Sequence, residues 1–218
     1  MGLSGGQLAG GNPESGRSEY DYYATNPADV KALLSALHRD GISFQGNKFL
    51  EPCAGGGHIV EACKGHKYMP RDSVWTTCDI IDRGYHLDIH DDFLVHNFTE
   101  KYDGIITNPP FTYASEFIER CINLLNDNGI LAVFLKVQFL EGERRRDLFD
   151  RYPPKYVYVM RYRAQPWADG SPFNPKTGKE WGSTICFCWY LWFKGSTTEP
   201  VIRWVDETSS AGKQKQLF

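Results

Sequence analysis

Tyr102-Asp103-Gly104-Ile105-Ile106-Thr107-Asn108-Pro109-Pro110-Phe111 is the stretch whose reading decides the fold. Tyr102 to Thr107 is a short apolar run that reads as a buried strand ending where the prolines begin. Two consecutive prolines cannot donate to a hydrogen-bond ladder, so the backbone leaves regular structure there. Pro110 also pushes Pro109 into an extended conformation. The outcome is a stiff loop at the carboxyl end of a strand, the usual ligand position in open α/β sheets. It offers the Asn108 carboxamide oxygen, a Pro109 carbonyl without a ladder partner, and the face of Phe111. These suit a planar group bearing an NH2: each oxygen accepts one N–H while the ring stacks. Drawing both protons towards acceptors takes the nitrogen lone pair out of conjugation, so positioning and electrostatics carry the chemistry without a strong base. The plainer reading is a proline-terminated strand before a helix capped by Thr112 or Ser115.

Working towards the N-terminus, Lys48-Phe49-Leu50-Glu51-Pro52-Cys53-Ala54-Gly55-Gly56-Gly57 reads as a second strand ending in an acid and a glycine-rich turn, with a helix opening over His58 to Cys63. Glycines let a backbone pass close beneath a ligand. The spacing Glu-Pro-x-x-Gly-x-Gly is not the dinucleotide fingerprint, and no lysine follows the glycines, so a phosphate-cradling P-loop is not indicated. A third strand, Val74 to Cys78, ends in Asp79, where a carboxylate is placed to hold ribose hydroxyls. Asp91-Asp92-Phe93-Leu94 sets a carboxylate beside an aromatic face, a pair suited to an adenine amine and ring. Taken singly, each acid is an ordinary strand-end turn former. Ahead of the glycines, Tyr22-Tyr23-Ala24-Thr25-Asn26-Pro27 introduces a helix with Asn26 as N-cap, Pro27 first, and a Val30, Leu33, Leu34, Leu37 stripe. Tyr23 and Thr25 stand where they can reach a ligand.

At 218 residues the chain is expected to fold as one domain over 20–205, after a Gly- and Ser-rich disordered segment, 1–19, and before a polar tail, 206–218. No apolar run reaches the roughly 20 residues of a membrane helix, and the polar N-terminus is no secretory signal. Six cysteines without paired spacing indicate a reduced, cytoplasmic chain. His86, His90 and His96 lack a convergent pattern, so no metal is expected. Charge is uneven: residues 1–130 hold 10 basic and 18 acidic side chains, residues 131–218 hold 14 and 9. A basic half suits contact with a polyanion.

These segments resemble the S-adenosylmethionine-dependent amino-methyltransferases, in particular the N6-adenine DNA methyltransferases of the solitary, phage-encoded kind. Phe49 to Gly57 looks like that family's glycine-rich motif, and Asn108-Pro109-Pro110-Phe111 matches its catalytic motif in the Asn-Pro-Pro-Phe form. Tyr23 to Pro27 is similar to the segment that contacts the methionine part of the cofactor. The resemblance covers about residues 20 to 195. It implies a Rossmann-like, seven-stranded α/β sheet with helices on both faces and S-adenosyl-L-methionine as cofactor. It further implies that Tyr23, Thr25, Glu51, Pro52, Cys53, Gly55, Gly57, Asp79, Ile80, Asp92, Phe93 and Asn108 bind that cofactor. Catalysis would fall to Asn108 to Phe111, on adenine in DNA, in a bacterial or phage-infected cell.

Beyond this core, Ala114 to Leu125 has a helical period, Asn126 to Gly129 closes it, and Ile130 to Leu135 reads as a strand buried on both faces. Glu141 to Phe149 reads as a short helix carrying Arg144, Arg145 and Arg146. Lys155 to Arg161 and Thr184 to Lys194 are expected to pair as an antiparallel edge ribbon. The loop between them, 162–183, interleaves Arg163, Trp167, Phe173, Lys176, Lys179 and Trp181, a mixture suited to phosphates and an extruded base. Phe173 or Trp167 is expected opposite Phe111; Arg144 and Arg145 face either a nucleic acid or solvent. The chain departs from larger family members in having no room for a separate target-recognition domain, so sequence readout falls to this loop, falls to a partner or is relaxed. The terminal Gln214-Lys215-Gln216-Leu217-Phe218 resembles a bacterial sliding-clamp peptide. Alternatives are the same chemistry on RNA adenine or a protein glutamine amide, or a non-catalytic nucleic-acid-binding protein.

Overall fold

The computed structural model describes residues 22–181 and 183–207. The segment 1–19, most of the polar tail and the Gln214–Phe218 peptide lie outside the described residues. The chain runs β1 (Tyr23–Ala24), α1 (Pro27–Arg39), β2 (Lys48–Glu51), α2 (His58–Cys63), β3 (Val74–Asp79), β4 (Ile89–His90) and β5 (Tyr102–Thr107). It continues through α3 (Ala114–Leu124), β6 (Leu125–Lys136), α4 (Arg146–Arg151), β7 (Tyr156–Met160), β8 (Trp167–Ala168), β9 (Phe187–Phe193) and β10 (Val201–Val205).

Eight strands form one sheet in the order β10-β7-β9-β6-β5-β2-β3-β4, and β1 pairs with β8 in a separate two-stranded ribbon. β4, β3, β2, β5 and β6 are mutually parallel, and β9 runs antiparallel between β6 and β7. Chain order reverses between β2 and β5. The crevice beyond the carboxyl ends of those two strands is where open α/β sheets bind ligands.

Strand alternation sorts the core into two layers. Phe49, Ile106, Phe134 and Trp189 face α1 and α2, meeting Leu33, Leu37, Ile59 and Val60. Leu50, Ile105, Leu131, Leu135 and Tyr190 face α3 and α4, meeting Phe117, Ile118, Cys121 and Leu148. Helices therefore cover both faces, as expected. α1 begins as its sequence dictates: Asn26 Oδ1 accepts the Ala28 N–H at 2.9 Å, and Pro27 needs no partner.

Several details differ from expectation. The sheet has eight strands rather than seven, because Val201–Val205 pairs parallel to β7. β9 is an interior strand rather than an edge: all seven of its residues are apolar, a composition that needs cover on both faces. Neither Thr112 nor Ser115 caps α3. Instead the Tyr113 N–H donates to the Pro110 carbonyl at 3.0 Å, making a 3-10 turn over Phe111–Tyr113 that runs into the helix. The Asn126 to Gly129 turn is absorbed into β6, whose pairing with β5 skips from Leu125 to Ile130, with Asn128 at φ 63°. Gly142, at φ 98°, breaks the expected Glu141–Phe149 helix into a 3-10 turn and α4. Asp206 is no free start of a tail, since it pairs with Arg39 at 2.9 Å and Arg161 at 3.2 Å.

Candidate active site

A cleft of about 110 Å³ opens at the carboxyl ends of β2, β3 and β5. Asn108 to Phe111 line one wall, Pro52, Cys53, Ala54 and His58 the floor beside the glycine turn, and Asp79 to Ile81 with Asp92 and Phe93 the far end. Tyr22, Tyr23, Ala24 and Thr25 come in from β1. Segments far apart in sequence meet here because parallel strands all deliver their carboxyl ends to one edge of the sheet.

Asn108 is the most sharply defined member. Its Nδ2 donates to the Tyr23 carbonyl at 2.7 Å, which fixes the orientation of the carboxamide. Its Oδ1 is buried and has no hydrogen-bond partner. A buried acceptor left bare costs about 1–3 kcal/mol. Pro109 is buried beside it. Phe111 is half-buried, with its ring centroid 6.3 Å from that of Phe187 and the Lys136 Nζ 4.8 Å over it.

Glu51, Gly55 and Gly57 are not among the residues lining the cleft; their neighbours Pro52, Cys53, Ala54 and His58 are. Gly55 and Gly57 hold left-handed conformations, φ 51° and 76°. Close packing on them comes from tyrosines of the chain itself: a Cβ on Gly55 would lie 2.5 Å from the Tyr22 ring, and one on Gly57 2.3 Å from the Tyr85 ring. Asp79 braces the turn, accepting the Gly55 N–H at 2.8 Å and the Ile81 N–H at 2.9 Å. Glu51 is 1 % exposed, accepts the Cys53 N–H at 3.1 Å on one oxygen, and has no partner on the other. Burial pushes its carboxyl up to about 8, so it is mainly protonated at neutral pH.

At the far end Ile80 is exposed, and Asp92 accepts the Leu94 N–H at 2.9 Å. Phe93 lines the cleft yet is 2 % exposed, with its ring packed on Phe117 and Phe98. Thr25 is buried with its hydroxyl unpartnered.

The long loop divides in two. Its first part joins the cleft: β8 pairs with β1, Tyr23 opposite Ala168 and Ala24 opposite Trp167. The Trp167 ring meets His58 edge-on at 5.5 Å. Trp167 therefore sits beside the glycine turn at His58, and the ring that meets Phe111 is Phe187. The second part is a small hairpin in which Phe173 bridges Glu180 and the Asn174 N–H donates to the Lys179 carbonyl at 2.8 Å. Lys176, Lys179 and Phe173 are exposed on it. Arg163 is exposed and donates to Cys186 Sγ at 2.6 Å. Arg145 folds back on the Phe139 ring at 4.7 Å and donates to the Glu141 carbonyl, so of the expected arginine pair only Arg144 points freely outward.

Sequence reading missed Tyr22, His58, Ile81, Arg83 and Phe117. Tyr22 had a signal, since it adjoins Tyr23. Arg83 had none, as its loop lacks any periodicity. Among the described residues no three His, Cys, Asp or Glu side chains gather as metal ligands, and no helix is long and apolar enough to cross a membrane.

The architecture matches solved structures. A class I S-adenosylmethionine-dependent methyltransferase fold from Listeria monocytogenes superposes with a TM-score of 0.57 at 13 % identity, over 84 % of this chain and 66 % of the other. The fold here is that of the class I methyltransferases. The methyltransferase subunit of a type I restriction-modification system from Streptococcus thermophilus gives 0.58 at 16 % identity, over 92 % and 49 %. The type I restriction enzyme EcoKI M protein gives 0.53 at 16 %, over 80 % and 44 %. O-methyltransferases share the fold as well. The chain thus spans about two thirds of the Listeria protein and about half of the Streptococcus one. No protein-family profile and no curated sequence matches it.

Proposed function

We propose that the chain transfers the methyl group of S-adenosylmethionine to an aromatic amine, the N6 of adenine in DNA. The observation that carries this reading is the Asn108 carboxamide on the cleft wall, held by the Tyr23 carbonyl and left with a buried oxygen that has no partner. An amine is the acceptor that this geometry suits, because the amide can take a hydrogen bond but cannot act as the base that a hydroxyl acceptor needs. The Pro109 carbonyl supplies the second acceptor and Phe111 the stacking face.

Glycine turn, Asp79, Ile80 and Asp92 form a row suited to a nucleoside, with carboxylates for ribose hydroxyls and for an adenine amine. When bound, the cofactor supplies an electrophilic methyl group on a sulfonium. Asn108 and Pro109 orient the acceptor nitrogen and draw its protons towards their oxygens, and the prolines keep both oxygens in place without reorganisation. In duplex DNA the base must leave the stack, at a few kcal/mol. The exposed Lys176, Lys179 and Arg144 are placed outside the cleft, where they suit phosphates. Restriction-modification subunits among the structural relatives support DNA as the polymer.

The test is methyl incorporation by the full chain into duplex DNA, single-stranded DNA, structured RNA and a glutamine-containing protein. N6-methyladenine in DNA is the expected product. Label confined to RNA or protein would replace the proposed acceptor, and label in none would remove the assignment.

A further inference from the structure

Arg83 is the one arginine or lysine among the residues lining the cleft. Its Nε is buried without a hydrogen-bond partner, and none of the ion pairs among the described residues includes it. A guanidinium is always charged, and a partly buried one without an anion is costly unless something supplies the anion. Arg83 is nevertheless held in place. Its Cζ lies 3.9 Å over the Tyr22 ring. Tyr22 is fixed in turn: its hydroxyl accepts the Gly56 N–H at 3.0 Å, and its ring lies on Gly55 so closely that no side chain fits between. The result is a braced, planar donor at the glycine turn.

The other charged groups on the cleft have the opposite sign. Asp79 and Asp92 line it, and each already accepts backbone N–H groups. His58, the remaining titratable base, is held below its ordinary value by burial. An anion entering this cleft is therefore repelled along its length and attracted at one point.

Resting on the S-adenosylmethionine reading, we propose that Arg83, braced by Tyr22, receives the carboxylate of the cofactor's amino-acid end through charge-assisted hydrogen bonds. Arg83 then distinguishes nucleosides that carry an amino acid from those cut short at sulfur. Nothing in the sequence marks it, because its position depends on the ring of Tyr22, the residue just ahead of β1.

Calorimetric titration of the full chain with S-adenosylhomocysteine and with 5′-methylthioadenosine tests this, since the two share nucleoside and thioether but only the first has the carboxylate. The wild type should prefer the first. Arg83→Met, which keeps the stem and loses the charge, should weaken S-adenosylhomocysteine by about 10- to 100-fold and leave methylthioadenosine within about two-fold; Arg83→Lys should fall between. Retained methylthioadenosine binding shows that the variant is folded. Equal weakening of both ligands, or of neither, overturns the Arg83 assignment while leaving the cofactor reading intact. A wild-type chain that binds neither nucleoside overturns both.

Discussion

At the scale of single residues, Asn108 and Glu51 show how burial can be put to use. Asn108→Ala removes one preorganised acceptor. The methylation rate should fall on the order of 10²–10³-fold. Unchanged methylation would detach the motif from the chemistry. Glu51 makes a prediction independent of function. Its carboxyl titrates at about 8 in the fold against an ordinary value of 4.5. Between those values the unfolded chain has released a proton that the folded chain keeps. Stability contributed by this site therefore falls as pH rises from 4.5 to about 8 and is flat above. Asp29, pushed up to about 6 by burial although the Tyr162 hydroxyl donates to it at 2.7 Å, adds a decline of the same sign between 3.8 and about 6. Urea midpoints at pH 5, 6.5 and 8 should show Glu51→Gln gaining on the wild type as pH rises. A constant offset would mean that Glu51 is ionised in the fold.

At the scale of elements, β5 depends on a glycine for packing rather than for conformation. A Cβ on Gly104 would lie 2.4 Å from the Phe49 ring and 2.9 Å from that of Phe44. Phe49 also stacks on Trp75 at 5.1 Å, so it has little freedom to retreat. Gly104→Ala should destabilise by about 1–3 kcal/mol through overpacking, read as a lower urea midpoint at unchanged slope. The same strand was legible in sequence, because Tyr102 to Thr107 is apolar and stops at prolines. The reason for its glycine was not, because the rings that fill the space come from other segments. β9 teaches a related lesson. Its aromatic alternation was readable, yet its place inside the sheet depends on pairing with β6 on one side and β7 on the other, while Val201–Val205 covers the far edge of β7.

At the scale of the whole molecule, every residue lining the cleft, from Tyr22 to Phe117, comes from the acidic first half. The cleft's own wall is acidic apart from Arg83 and His58, whereas exposed cations stand outside it, on the hairpin with Lys176 and Lys179 and at Arg144. That division suits a small zwitterionic ligand inside and a polyanion outside. If the hairpin meets duplex phosphates, replacing Lys176 and Lys179 by Gln should lower the slope of log affinity against log salt by about 1.8, near 0.9 per phosphate contact. It should weaken all DNA sequences alike. An unchanged slope would place the DNA elsewhere on the surface.

The sequence by itself determined the elements whose signals are local. Proline and glycine end strands by their own stereochemistry, apolar alternation marks buried strands, and an Asn-Pro pair starts a helix. Hence Asn108, Asp79 and the glycine turn are legible at strand ends from the sequence. Only the tertiary structure decided what faces what. It aimed the Asn108 oxygen by way of a carbonyl 85 residues away, laid Tyr22 on Gly55, stood Arg83 over Tyr22, and carried Trp167 to the glycine side of the cleft. Those relations depend on distances between segments, and distances between segments are set by packing of the whole core rather than by any window of residues.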